Sequence, residues 1–221
     1  MKYSELTEYF FAHRDVKYAE FTQPLSNSTY EYIGIRLPDL QKFTKEHKCD
    51  TELNPDDFIL GKYFEIDYIY FCLSIARLQT VDEQFDFLRE KSKYALSWCI
   101  TDSFSTFMKP SPYEKYMKYF LDTCNSEYTY TRRSAYVLGL KHYRDKEILD
   151  TLKFINKDEE YMVMMSQAWL MATVAICFPD EIFDYLSKTD DVVLKRKTIS
   201  KICDSRRIDP VKKEKFKTLR T

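Results

Sequence analysis

The chain of 221 residues is long enough to bury a substantial core without disulfides or a structural metal. Hydrophobic residues make up 44% and aromatic residues 16%, yet three glycines and seven prolines leave little material for tight hairpins and point to helices. The net charge of −1 excludes a uniformly basic surface, but from Asp191 to Thr221 eleven Lys and Arg face four Asp and Glu, so this segment carries +7 and the rest −8.

In chain order, Ser4 is predicted to cap a first helix with Leu6, Tyr9, Phe10 and His13 on one side. A short helix from Val16 to Pro24 follows, broken at Ser26-Asn27-Ser28. Gly34 permits a turn that other residues resist, and Pro38 suits the first turn of a helix running to about His47. Asn54-Pro55-Asp56-Asp57 opens a short helix ending near Gly61. Helical spacing of Ile66, Ile69, Tyr70, Leu73 and Arg77 predicts a helix over 63–78, and Thr80 caps the next.

The segment from Leu96 to Phe107 places Leu96, Cys99, Ile100, Ser103, Phe104 and Phe107 on one helical face and Ala95, Trp98, Asp102 and Ser105 on the other. After the break at Lys109-Pro110-Ser111-Pro112, helices are predicted over 113–124, 127–142, 146–155, 159–178, 180–186, 192–203 and 209–219. No segment alternates convincingly as a strand. Asp102, Arg133 and Trp169 lie 31 and 36 residues apart, a period of one helical hairpin per unit. The expected fold is all-α, a HEAT-like helical-repeat solenoid forming a single domain over 1–221.

Six scattered cysteines without a C-x-x-C read as reduced, buried thiols, and no leader precedes them, so a cytoplasmic protein is expected, at the nucleoid if bacterial. Three well-separated histidines offer no zinc site, so no metal and no organic cofactor is expected. The longest apolar run, Ala168 to Phe178, is about half the roughly 20 residues of a membrane span.

In a solenoid, equivalent helices line one concave surface, so Trp98 with Asp102, Arg133, Trp169 and the basic residues after Lys195 are expected to share a groove. A flat ring with a carboxylate one turn on invites a stackable, positively charged ligand; the alternative is a surface Trp covered by a neighbouring helix. Arg133 could clamp a phosphate, but from the residues alone a structural ion pair between helices is the favoured reading. Trp169 falls in the series Met162, Met165, Trp169, Ala172 and Ile176, whose spacing describes a packing seam.

Taken in order, Gly34-Ile35-Arg36-Leu37-Pro38, Trp98-Cys99-Ile100-Thr101-Asp102-Ser103-Phe104, Arg133-Ser134-Ala135-Tyr136-Val137, Tyr161 to Trp169, Lys197-Thr198-Ile199-Ser200-Lys201-Ile202 and Ser205-Arg206-Arg207-Ile208 resemble the DNA alkylation repair family, the AlkD-like HEAT-repeat DNA glycosylases. The resemblance spans nearly the whole chain. It implies excision of N3- or N7-alkylated purines from double-stranded DNA by a monomer, with Asp102, Trp98 and Trp169 as catalytic residues and Arg133, Lys197, Lys201 and Arg207 as DNA-binding residues. Well-known active members carry a second Trp directly before the first, where Ser97 stands here. The alternative expectation is a non-catalytic module that binds DNA structures or a protein partner through its concave face.

Overall fold

The computed structural model describes residues 1–26 and 28–220; Asn27, in the expected break after the second helix, lies outside the described residues. The fold is an all-α helical-repeat fold, and the described residues contain no strand, only one isolated bridge between Glu31 and Tyr63. The chain divides into two compact units, Met1–Pro110 and Ser111–Thr221.

The first unit holds α1 (Tyr3–Ala12), α2 (Val16–Thr22), α3 (Leu37–Glu46), α4 (Phe64–Arg77), α5 (Val81–Lys91) and α6 (Trp98–Phe107). Helix α4 lies against both α3 and α6 and is apolar on nearly every side, as a central helix must be. Ile66, Tyr68, Ile69, Phe71 and Leu73 are fully buried on it, and the Phe71 ring meets Phe104 of α6 at 5.4 Å. Thr80 caps α5 as expected: its hydroxyl receives the Glu83 N–H at 3.2 Å while the Glu83 carboxylate receives the Thr80 N–H at 2.8 Å. At α1 the expectation fails. The helix begins a residue before Ser4, with Lys2 at its cap, because the Glu5 carboxylate reaches back to the Lys2 N–H at 2.8 Å.

Two acidic residues of α4 are buried. The Glu65 carboxylate collects the N–H groups of Ile33, Gly34 and Ile35 at 2.9, 2.8 and 3.2 Å, which fixes the loop leading into α3. Gly34 sits there at φ +112°, and a Cβ would lie 2.3 Å from the Asp15 carbonyl oxygen, so this turn accepts only glycine. Two residues on, Arg36 pairs with Asp15 at 2.9 Å.

The second unit holds α7 (Tyr113–Thr123), α8 (Thr129–Leu138), α9 (Tyr161–Val174), α10 (Pro179–Lys188), α11 (Val192–Asp204) and α12 (Pro210–Lys217). Helix α9 lies against α8 and α11, and α7 packs on α8. The expected helix over 146–155 is instead a 3-10 helix, Lys146–Phe154. Its buried residues Ile148 and Thr151 are three apart, which aligns them on a three-residue turn.

All six cysteines are free thiols, but only Cys72 and Cys124 are buried; Cys99 and Cys203 are half-buried, and Cys49 and Cys177 are exposed, correcting the expectation of buried thiols. Among the described residues, no helix is long and apolar enough to cross a membrane.

Candidate functional site

Helix α6 carries Trp98 and Asp102. Ser97 is its N-cap, fully buried, with its hydroxyl accepting the Cys99 N–H at 3.3 Å. The helix therefore starts at Trp98, and Ala95 and Leu96 lie outside its phase. This reverses their expected faces: Ala95 is buried and Leu96 exposed. Of the rest of the stripe, Ile100, Ser103 and Phe104 are buried, with Thr101 beside them, while Cys99 and Phe107 are only half-buried. Trp98 and Asp102 are half-buried, one turn apart on the helix.

The start of α6 is fixed from below. The Tyr30 hydroxyl accepts the Leu96 N–H at 3.2 Å and donates to Asp67 of α4 at 2.6 Å, while Asp67 also accepts the Gly61 N–H at 3.0 Å. Burial pushes the Asp67 carboxyl up to about 6, against the pull of these donors. Burial and the adjacent carboxylate also raise the Tyr30 hydroxyl well above its ordinary value. Sequence periodicity gives no sign of this support, because Tyr30 lies between α2 and α3, outside any helix, and Asp67 sits inside an apolar one.

The other expected site residues belong to the second unit. Arg133 on α8 is buried, and its guanidinium donates to the Met162 carbonyl in the first turn of α9 at 2.6 Å. Its neighbour Arg132 grips Asp158 through two nitrogens at 2.7 and 3.2 Å, an ion pair within the second unit.

Trp169 is 38% exposed, although its neighbours Ala168, Leu170 and Met171 are all buried. Together with Ala172, Thr173, Ile176, Lys201, Asp204, Ser205 and Arg207 it lines an open hollow of about 350 Å³. The structure thus brings Trp169, Lys201 and Arg207 to one place. The Lys201 ammonium lies 6.0 Å from the centre of the Trp169 ring.

Lys197, one turn before Lys201, lies 5.6 Å from the Tyr161 ring, and Arg207 lies 4.6 Å from that of Tyr143. These two tyrosines were missed as site residues. For Tyr161 a signal existed, since it precedes Trp169 by eight residues on the same helix and is half exposed. Leu194, Thr198, Ile199 and Ile202 form the buried side of α11, so its basic residues are left on the flanks.

Among the described residues no cluster of three or more His, Cys, Asp or Glu could hold a metal ion. A family model described as DNA alkylation repair enzyme matches residues 5–202. No curated protein matches the chain.

Proposed function

Because the chain belongs to the DNA alkylation repair enzyme family, we propose that it is a DNA glycosylase that releases cationic N3- or N7-alkylated purines from duplex DNA. The observation that carries this reading is the pairing of a half-buried carboxylate, Asp102, with a half-buried indole, Trp98, one turn away.

An alkylpurine cation needs no general acid. The bond from C1′ to the base nitrogen breaks with its electron pair, the base leaves neutral, and positive charge grows on the deoxyribose. A fixed carboxylate lowers the energy of that charge and orients the water that adds to C1′; the water's proton passes to the carboxylate or to solvent. The Trp98 face favours a cationic base or sugar against it, and Trp169 offers a second exposed ring. Lys197, Lys201 and Arg207 hold the phosphate backbone, contacts that carry no sequence information. Arg133 acts through the first turn of α9, whose carbonyl it holds.

The test is release of free base from duplex DNA containing N7-methylguanine. Asp102→Asn is expected to slow release by about 100-fold or more, the usual scale for losing one electrostatic stabiliser of a transition state. Unchanged release would remove the carboxylate from the mechanism. One observation favours the non-catalytic alternative: the position before Trp98 is a fully buried cap, so no second indole is displayed there. Tight binding of the damaged duplex with no base release at any protein concentration would select that reading.

A further inference from the structure

We infer that the rings of Tyr161 and Tyr143 are positioning residues for DNA, holding Lys197 and Arg207 so that, with Lys201, the second unit presents a preset row of cations to a duplex backbone. The inference rests on the DNA reading above.

Four of the basic residues at the end of the chain show two kinds of surroundings. Lys215 and Lys217 are bound to carboxylates, Asp180 at 2.8 Å and Glu214 at 2.6 Å, which cancels much of their charge. Lys197 and Arg207 instead lie over aromatic faces at 5.6 and 4.6 Å. A ring quadrupole attracts a cation without neutralising it, so the full charge stays available to a phosphate. It also restricts a long side chain in advance, which lessens the ordering cost when the phosphate arrives. Tyr161 is half exposed at the start of α9, so core packing alone does not account for its ring. Lys197 and Lys201 are four residues apart on α11, about 6 Å along the axis, so two anchors recur on one line. A repeating polyanion matches such a row better than an acidic protein surface does.

The experiment measures binding to undamaged duplex DNA over a range of salt for the full-length protein and its variants. Tyr161→Leu is expected to weaken binding about 3-fold, the scale of an exposed cation–ring contact. Tyr161→Phe, which keeps the face and loses the hydroxyl, should bind like the wild type.

Lys197→Ala should lower the dependence of log affinity on log salt by about one. Tyr161→Leu should leave that slope unchanged, and should have no further effect once Lys197 is alanine. The Tyr143 and Arg207 pair reads the same coupling independently, so one misfolded variant does not decide the outcome. Wild-type affinity in both leucine variants, or additive losses in the double variants, overturns the inference while leaving the DNA reading intact. Absence of wild-type duplex binding at low salt, or preference for an acidic protein over DNA, overturns both.

Discussion

Tyr30 donates its hydroxyl hydrogen to Asp67 at 2.6 Å and takes the Leu96 N–H at 3.2 Å, so one buried phenol ties the central helix of the first unit to the residue two positions before Trp98. Removing the hydroxyl takes one donor from the buried Asp67 carboxylate, which keeps the Gly61 N–H, and removes the acceptor of the Leu96 N–H. Tyr30→Phe is therefore expected to cost about 1 to 3 kcal/mol, measured by urea unfolding. In a Trp169→Phe background, where Trp98 is the remaining tryptophan, its fluorescence anisotropy should fall as the start of α6 loosens. Unchanged stability and anisotropy would mean that the phenol is not what holds this turn.

Asp67 also ties stability to pH. Its carboxyl is raised from 3.8 to about 6, so between these values the folded protein keeps a proton that the unfolded chain has shed. The folded state binds more protons there, and stability from this group must rise as pH falls from about 6 to about 4 and be lost above. Two pH units correspond to about 3 kcal/mol as an upper scale. Glu65 is raised in the same direction by burial and adds to the trend. Asp15, Asp50, Glu83, Glu90 and Asp180 are lowered by their partners and work the other way. The clean measurement is thus the stability of the wild type minus that of Asp67→Asn. That difference should move in favour of the wild type as pH drops through the window, and a flat difference would contradict it.

Gly34 and Glu65 make a second fixed point. Gly34→Ala puts a methyl group against backbone, 2.3 Å from the Asp15 oxygen, at a positive φ. It should cost at least about 2 kcal/mol, read from the midpoint of thermal unfolding. Gly61→Ala provides the contrast. Its φ of +89° carries the same backbone strain, but nothing lies within 4 Å of the added carbon, so the loss should be smaller.

How far the sequence reaches is clearest at the two tryptophans. Trp98 is legible because Ile100, Ser103 and Phe104 complete the buried stripe of α6 without it. Trp169 is not, because α9 is apolar all round and its periodicity singles out no outer face. Its exposure is set by the hollow beside Ala172 and Thr173, which depends on where α11 and Arg207 pass. The same limit applies at Arg133, where a guanidinium inside a mixed helix reads as clamp or ion pair, and only the fold reveals the Met162 carbonyl among its partners. Leu96 failed for a local reason: the Ser97 cap shifts the helix start, and a face assigned from 100° steps is valid only inside the helix.

Arg133 yields a prediction that separates architecture from binding. A buried guanidinium bonded to a carbonyl stabilises the unit whether or not DNA is present. Arg133→Ala should therefore cost about 1.5 to 3 kcal/mol of stability, whereas Lys201→Ala, on a half-buried side chain at the rim of the hollow, should cost under about 0.5 kcal/mol. Urea denaturation of the two variants side by side decides it. Equal, small losses would leave Arg133 as a binding residue with no structural duty.

The basic flank of α11 makes the last prediction. If Lys197 and Lys201 meet phosphates, reversing both charges must weaken binding on every duplex sequence by about the same factor, since the backbone is common to all. Removing two phosphate contacts should also reduce the salt slope by about two. Between 50 and 200 mM salt the wild type should then lose affinity more steeply than Lys197→Glu with Lys201→Glu. Fluorescence polarisation on several unrelated duplexes measures both quantities at once. A loss confined to one sequence would place these lysines at base edges, and an unchanged slope would place them away from the DNA altogether.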